Sequence, residues 1–366
     1  MRRLLEYQAE RIEMVLASHK VTSHVCGGTV TPRFVRFELV PMVGTKVSRV
    51  KGLGEEIALS LGIPSCRVSR QNGKINVEIP RETPRTVKLL ALCRRLAEIP
   101  PCTAVLGLDE EGTPLLLRLP SADVAHVLIA GRTGSGKTEL ARTMIASLAM
   151  YNRLGEVQLV LIDPKGRGFA TFASLPHLLY PMVEDVEGAS EVLGRLVAEM
   201  ERRDREKATQ PQVVVFIDEL ADLMMVGGKE MEHLLTRLLQ RGRGAGIHIV
   251  ACVQKPTVSV IGSLVKSNFP VRIVGSVASP EDAKVASGLA GTGAERLLGR
   301  GDFLVVAQGQ VMRLQAAYVS SQEIGELTAH LREGGRTSRR WVEEATGTDG
   351  RAMPLKRLAA RLKLVK

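Results

Sequence analysis

The chain has 366 residues, enough for two or three domains, and its 45% hydrophobic and 24% charged residues exclude a largely disordered polymer. Its net charge of +11 is concentrated at the ends, with +8 over residues 1–100 and +6 over 331–366, while 101–330 sums to −3. Basic flanks around a near-neutral centre point to a polyanion, most often nucleic acid; plain solubility is the bland alternative.

The first 20 residues, MRRLLEYQAERIEMVLASHK, place Leu4, Leu5, Ile12, Val15 and Leu16 near helical spacing, which predicts an N-terminal amphipathic helix over 1–20. Charges in every turn exclude a signal peptide. No apolar run in the chain approaches the roughly 18 residues that span a bilayer, so a soluble, cytoplasmic protein is expected. From 28 to 80 the pattern is strand-like in RFVRFELVPMVGTKVSRV, helical in GEEIALSLG, and strand-like again in CRVSRQNGKINVEIP with a turn at Asn72-Gly73. That is a small α+β domain, bounded at 21–100 by the Pro100-Pro101 pair that follows RTVKLLALCRRLAEI.

Over 101–330 apolar strand runs alternate with amphipathic helices: AHVLIAG, VQLVLID, QVVVFIDE, IHIVACVQ, FPVRIVGSV, DFLVVAQ and VMRLQAAYV. Continuous β-branched runs between helices predict an α/β domain whose parallel central sheet is buried on both faces. From 331 to 366 the chain becomes a basic tail, Gly/Arg/Ser-rich and then patterned as a short helix in LKRLAARLKLVK. Its Lys356, Arg357, Arg361 and Lys363 suit an auxiliary DNA arm, or the solvated face of a helix packed on the rest. The five cysteines show no CxxC or metal-type spacing and read as small buried hydrophobes. With 7 Phe, 4 Tyr and 1 Trp, base stacking is poorly served, so duplex tracking along the backbone suits the composition better.

Chemistry concentrates in the α/β region. Gly131-Arg132-Thr133-Gly134-Ser135-Gly136-Lys137-Thr138 is a complete GxxxxGK[ST] loop between the strand HVLIA and the helix TELARTMIASLAM. Its amides and the helix N-terminus suit phosphate oxygens, so Gly131, Arg132, Thr133, Gly134, Ser135, Gly136, Lys137, Thr138 and Glu139 are the expected nucleotide contacts. Lys137 would reach the β- and γ-phosphates and the Thr138 hydroxyl would ligate Mg²⁺. The strand VVVFI ends in Asp218-Glu219, where Asp218 suits Mg²⁺ and Glu219 suits a water-polarising base. Alternatively, that pair caps the next helix. No NKxD-type motif is present, which favours ATP over GTP. Gln254 closes the strand IHIVACVQ as a γ-phosphate sensor or as a simple loop residue. Arg237, Arg241 and Arg243 are candidates for a finger inserted into a neighbour's site, or for a solvated face.

Several ordered blocks resemble the motor of the FtsK/SpoIIIE family of DNA translocases: IDPKG (162–166), PHLLYPMVEDVEGASEVLGRLVAEMERR (176–203), VVVFIDELADLMM (213–225), RGRGAGIHIVACVQKPTVSVI (241–261), VKSNFPVRI (265–273) and GAERLLGRGDFLVV (293–306). RFELVPMVGTKVSRVKGLGEEIALSLG (36–62) resembles the smaller α domain of that family. The resemblance implies a RecA-like P-loop NTPase motor with a parallel central sheet, preceded by a smaller α+β domain. It also implies a homohexameric ring that uses ATP and Mg²⁺ to move along double-stranded DNA. Arg243 then falls at the family's finger, and Lys266 and Arg272 fall near its pore-facing region. Two departures are apparent. There are no N-terminal membrane helices, and only 36 residues follow 330, too few for a winged-helix domain. The form is therefore closer to a compact translocase of a phage, plasmid or other mobile element. A conjugative DNA-transfer coupling ATPase is the alternative, followed by a type VII secretion-like ATPase, against which the single ATPase domain counts.

Overall fold

In the computed structural model the described residues are 2–42, 44–71, 73–96, 99–254 and 268–334, together with the strand Lys363–Val365. They divide into two units, Met1–Thr86 and Val87–Lys366.

The first unit packs α1 (Arg2–Ser18), α2 (Val47–Gly52) and α3 (Gly54–Leu61) with a four-stranded antiparallel sheet of order β1 (Ser23–Val30), β2 (Phe34–Pro41), β4 (Lys74–Pro80), β3 (Arg67–Gln71). Ile12 and Leu16 of α1 share one core with Phe37, Leu39, Ile57, Val77 and Ile79, so the N-terminal helix is part of this unit's core. Leu4 is half exposed. Two local expectations are corrected. Val47–Gly52 is helical, although KVSRV reads as strand: only Val50 of that helix is buried, so no two-sided apolar ladder exists to hold it in the sheet. A strand begins at Ser23, ahead of the first strand-like run, because Cys26-Gly27-Gly28 hides its alternation. Gly73 takes φ +79 in the β3–β4 hairpin; Asn72 lies outside the described residues.

The second unit begins with β5 (Val87–Lys88) and the single-turn helix α4 (Leu89–Cys93), whose Leu89, Leu90, Leu92 and Cys93 enter the larger core. This segment thus belongs with the chain that follows it, ahead of the Pro100-Pro101 pair. The large sheet runs β7 (Pro114–Arg118), β6 (Thr103–Asp109), β14 (Gln310–Tyr318), β13 (Asp302–Ala307), β12 (Val271–Val274), β8 (Val127–Ala130), β11 (Ile247–Val253), β10 (Gln212–Ile217), β9 (Val157–Ile162). The five strands β12, β8, β11, β10 and β9 are parallel. From β12 through β13, β14 and β6 to β7 every pairing is antiparallel. The parallel expectation is therefore corrected for DFLVVAQ and VMRLQAAYV: only Gln308 and Gly309, both at positive φ, separate β13 from β14. A connection that short closes a hairpin and cannot make a parallel crossover.

One face of the sheet is covered by α5 (Lys137–Tyr151) and by Ile324 and Leu327 of the helix Ser321–Arg332. The other is covered by α6 (Val186–Glu206) and α7 (Leu220–Arg241). Every residue of β10 is buried, as expected for a QVVVFI run sandwiched between two helical layers. Each such Val, Ile or Phe contributes about 1.5–3 kcal/mol by leaving water. Asp185 caps α6 by accepting the Gly188 N–H at 2.6 Å. The result is a three-layer P-loop NTPase fold with β8 inside its parallel half, between β12 and β11. Lys363–Val365 pairs in parallel with β7, so the end of the patterned C-terminal helix is a strand instead; a strand extends an edge that is otherwise open. The rest of the tail, 335–362, lies outside the described residues. No described helix is long and apolar enough to cross a membrane.

Candidate active site

The site is built at the C-terminal ends of the parallel strands, beginning where β8 runs into the loop 131–136. Gly131, Gly134 and Gly136 have φ of +152, +82 and +101, which L side chains rarely adopt, and Gly136 caps α5. Neighbouring backbone grips this loop from both sides. Gly131 N donates to Val253 O at 3.2 Å and Arg132 N to Ser276 O at 2.8 Å. From the other side Arg300 N donates to Gly134 O (3.1 Å) and Gly301 N to Ser135 O (2.8 Å). A Cβ on Gly136 would lie 2.9 Å from Gly301 N, and one on Gly275 would lie 2.8 Å from Ser135 Cβ. The turns at 275–276 and 299–301 are therefore part of the phosphate loop's support, a role that the sequence pattern did not give them.

Lys137 is buried, and its Nζ donates to Gly131 O at 2.7 Å and Arg132 O at 3.3 Å. Burial holds its ammonium below the usual lysine range. One residue on, Thr138 Oγ1 donates to Asp218 Oδ1 at 2.9 Å. Asp218 and Glu219 directly follow β10, and both carboxyls are raised above the ordinary range, chiefly by burial. Glu219 is 3% exposed and its Oε1 accepts the Gln254 N–H at 3.3 Å. At the N-cap position of α7 its side chain makes no cap bond, so the carboxylate is not used by the helix. Gln254 accepts from Thr133 Oγ1 at 3.1 Å through Oε1, linking the phosphate loop to the end of β11. Lys165, after β9, pairs with Asp222 at 2.8 Å.

A hydroxyl and a carboxylate 2.9 Å apart are the hard oxygen donors that Mg²⁺ takes from a protein when phosphate and water fill its other positions. Among the described residues no group of three or more His, Cys, Asp or Glu could hold a metal ion by itself. Thr138 and Asp218 would hold it.

The remaining predicted residues separate clearly. Arg132, Thr133 and Gln254 are exposed at the loop's mouth, and Glu139 pairs with Arg142 at 3.1 Å. Arg237 is paired with Glu201, and Arg241 with Asp204 at 2.6 Å, both stapling α7 to α6. Arg243 lies in the turn after α7, exposed and with no ion pair among the described residues. Arg272 is half-buried in β12, where its Nε donates to Phe269 O at 3.5 Å and its guanidinium lies against Gly288; that is a packing role inside the fold. Lys266 lies outside the described residues.

Sequence reading missed Asp163. It is fully buried at the end of β9 and receives three backbone N–H bonds from the turn that follows. The available signal was the turn chemistry of Asp-Pro-Lys-Gly directly after an apolar strand.

The FtsK/SpoIIIE family model matches residues 97–207 and 203–258, and the FtsK alpha domain model matches 2–81. The DNA translocase SftA of Bacillus subtilis (strain 168) is 36% identical over 357 residues, 90% of this chain and 37% of that protein. The DNA translocase FtsK of Sporosarcina ureae is 35% identical over 353 residues, 88% of this chain and 45% of that one. The chain thus spans less than half the length of these curated relatives. Among solved structures, the pCW3 conjugation coupling protein TcpA, in a monomer form with ATPgS, superposes with a TM-score of 0.62 at 20% identity, covering 89% of this chain and 99% of that one. The cytoplasmic domain of the type VII secretion ATPase EccC of Thermomonospora curvata gives 0.58 at 22% identity, covering 67% and 35%. At such identities these two likenesses are of fold.

Proposed function

The chain belongs to the FtsK/SpoIIIE family, and from that premise we propose that it is an ATP-hydrolysing motor that moves along double-stranded DNA as a ring of six copies. The observation that carries the reading is Glu219. It is a buried carboxylate anchored by the Gln254 amide, beside a Thr138–Asp218 pair, in a chain 36% identical over 357 residues to a protein named as a DNA translocase.

In this reading Lys137 leaves the Gly131 and Arg132 carbonyls for the β- and γ-phosphates, and the amides of the loop take the remaining oxygens. Thr138 and Asp218 would hold a magnesium ion, which would supply positive charge beside the phosphates. Glu219 orients a water for in-line attack and draws off its proton, a role suited to a carboxyl raised by burial. Gln254 reports the γ-phosphate to the segment that follows it. Arg243, exposed while Arg237 and Arg241 are engaged, is the donor offered to the next subunit. The basic flanks, and Lys266 with them, contact phosphates of the duplex without reading sequence.

The test is ATP turnover with and without linear duplex DNA, alongside particle mass with a slowly hydrolysed ATP analogue. Stimulation by unrelated duplexes and a six-copy assembly are expected. Turnover indifferent to duplex would overturn the DNA motor, and a monomer on DNA would overturn the ring.

A further inference from the structure

Asp163 takes no part in the chemistry above, yet it is a fully buried carboxylate one turn away from it. Both of its oxygens are spent on backbone. Oδ1 accepts from Lys165 N at 3.2 Å, and Oδ2 accepts from Gly168 N at 2.6 Å and Phe169 N at 3.0 Å. The same peptides are held from the opposite side by Arg142 of α5. Its Nε donates to Gly168 O at 2.6 Å and its Nη2 to Arg167 O at 3.2 Å, while Glu139 fixes its Nη1 at 3.1 Å. Phe169 adds a third hold: it is fully buried and meets the Phe216 ring of β10 edge-on, with centroids 6.4 Å apart.

What this clamp presents is the bare α-carbon of Gly168. A Cβ there would lie 2.8 Å from Asp218 Oδ2 and 3.2 Å from Thr138 Cγ2. Gly168 is therefore a wall of the pocket that contains the Thr138–Asp218 pair, and its φ is not in the left-handed region, so space and not backbone strain requires glycine. The wall rests on elements that also carry the site: α5 begins with Lys137 and Thr138, and β10 leads into Asp218.

We propose that Asp163 and Arg142 are positioning residues that press Gly168 against Asp218, restricting its carboxylate to the orientation in which it meets Thr138 and a divalent cation. The inference rests on the reading of this site as one that binds ATP with Mg²⁺. Outer groups that orient a metal's ligands typically carry 10–100-fold in metal affinity, although they never touch the ion.

The experiment measures Mn²⁺ affinity by electron paramagnetic resonance in the presence of ADP, and separately measures ADP affinity in EDTA. Gly168→Ala should weaken Mn²⁺ about tenfold, with metal-free ADP affinity changed less than about twofold. Asp163→Asn keeps one acceptor oxygen and should lose less than Asp163→Ala. Arg142→Met should resemble Asp163→Ala, and Arg167→Ala, which removes only an exposed side chain, should match wild type. If Asp163→Ala does not fold, Gly168→Ala and Arg142→Met carry the same test. Unchanged Mn²⁺ affinity in folded Gly168→Ala and Arg142→Met, or an equal loss of metal-free ADP binding, would overturn the proposal. Wild-type protein that binds ADP yet engages no Mn²⁺ when Mn²⁺ is supplied would instead overturn the functional reading beneath it.

Discussion

Lys137 and Glu219 border one pocket but should fail differently when removed. Lys137→Ala deletes the counter-charge closest to the phosphates, so nucleotide binding itself is expected to disappear in a direct binding titration. Glu219→Gln leaves the cradle intact and removes the base; ATP should bind at near wild-type strength while kcat falls on the order of 10²–10⁴-fold. Normal turnover by Glu219→Gln would remove it from the role. A second residue-scale effect concerns pH. His126 is buried, its Nδ1 accepts the Ile249 N–H at 3.0 Å, and burial pushes its pKa from 6.5 to about 3. The unfolded chain therefore binds a proton below pH 6.5 that the folded chain refuses, and stability is full above 6.5 and lost as pH falls. Neighbouring His248, pushed to about 4, acts in the same window. Between pH 6.5 and 5 each should cost up to about 2 kcal/mol. Urea midpoints at pH 7.5, 6 and 5 should fall less steeply for His126→Gln; an unaltered slope would refute this. Lys137 and Thr138 could be singled out from sequence because a phosphate loop is one contiguous pattern, and Asp218 because it follows an unbroken apolar strand. Asp163 was not, because a carboxylate that serves its own backbone needs no partner at a fixed distance along the chain.

The strands of the parallel half were equally legible, since burial on both faces writes an unbroken apolar run. β6 and β7 were missed, and Gly107 shows why. It interrupts TAVLGLD at a register shift, opposite Ala316 of β14, with φ +154. A Cβ there would lie 2.1 Å from Gln315 O, so the position that lets β14 approach also breaks the β-propensity of its own strand. Gly107→Ala should destabilise the second unit by about 3 kcal/mol or more in urea denaturation. Gly112→Ala, also at positive φ but with open space around it, should lose only about 1 kcal/mol. Equal losses would show that backbone conformation, and not the approach of β14, sets the requirement. The α6–α7 pair makes a similar point: residue type and spacing left three arginines equivalent and only a family resemblance favoured Arg243, whereas the engagement of Arg237 and Arg241 in ion pairs shows only once the helices lie side by side.

For the assembled molecule the expectation concerns sites completed between copies. Pure Arg243→Ala should lose most of its ATP turnover, and so should pure Lys137→Ala. Mixed in equal amounts, the two should recover part of it, because some interfaces then join an intact arginine to an intact phosphate loop. No recovery on mixing, or full activity of Arg243→Ala alone, would move the role to another residue.

The strand order β7-β6-β14-β13-β12-β8 also sets a timetable. A ribosome delivers β6 and β7 before β8, yet in the finished sheet three later strands lie between them. At synthesis rates of about 5–20 residues per second, roughly 10–40 s separate β7 from the completion of β14. Through that interval the nascent chain holds two unfinished sheet fragments, each with an open edge toward the gap. β14 is the last strand to enter that gap. Until it arrives, the β6–β7 hairpin and the nucleotide-loop strand share a chain but not a sheet, and a chain interrupted before residue 310 is left with both edges bare.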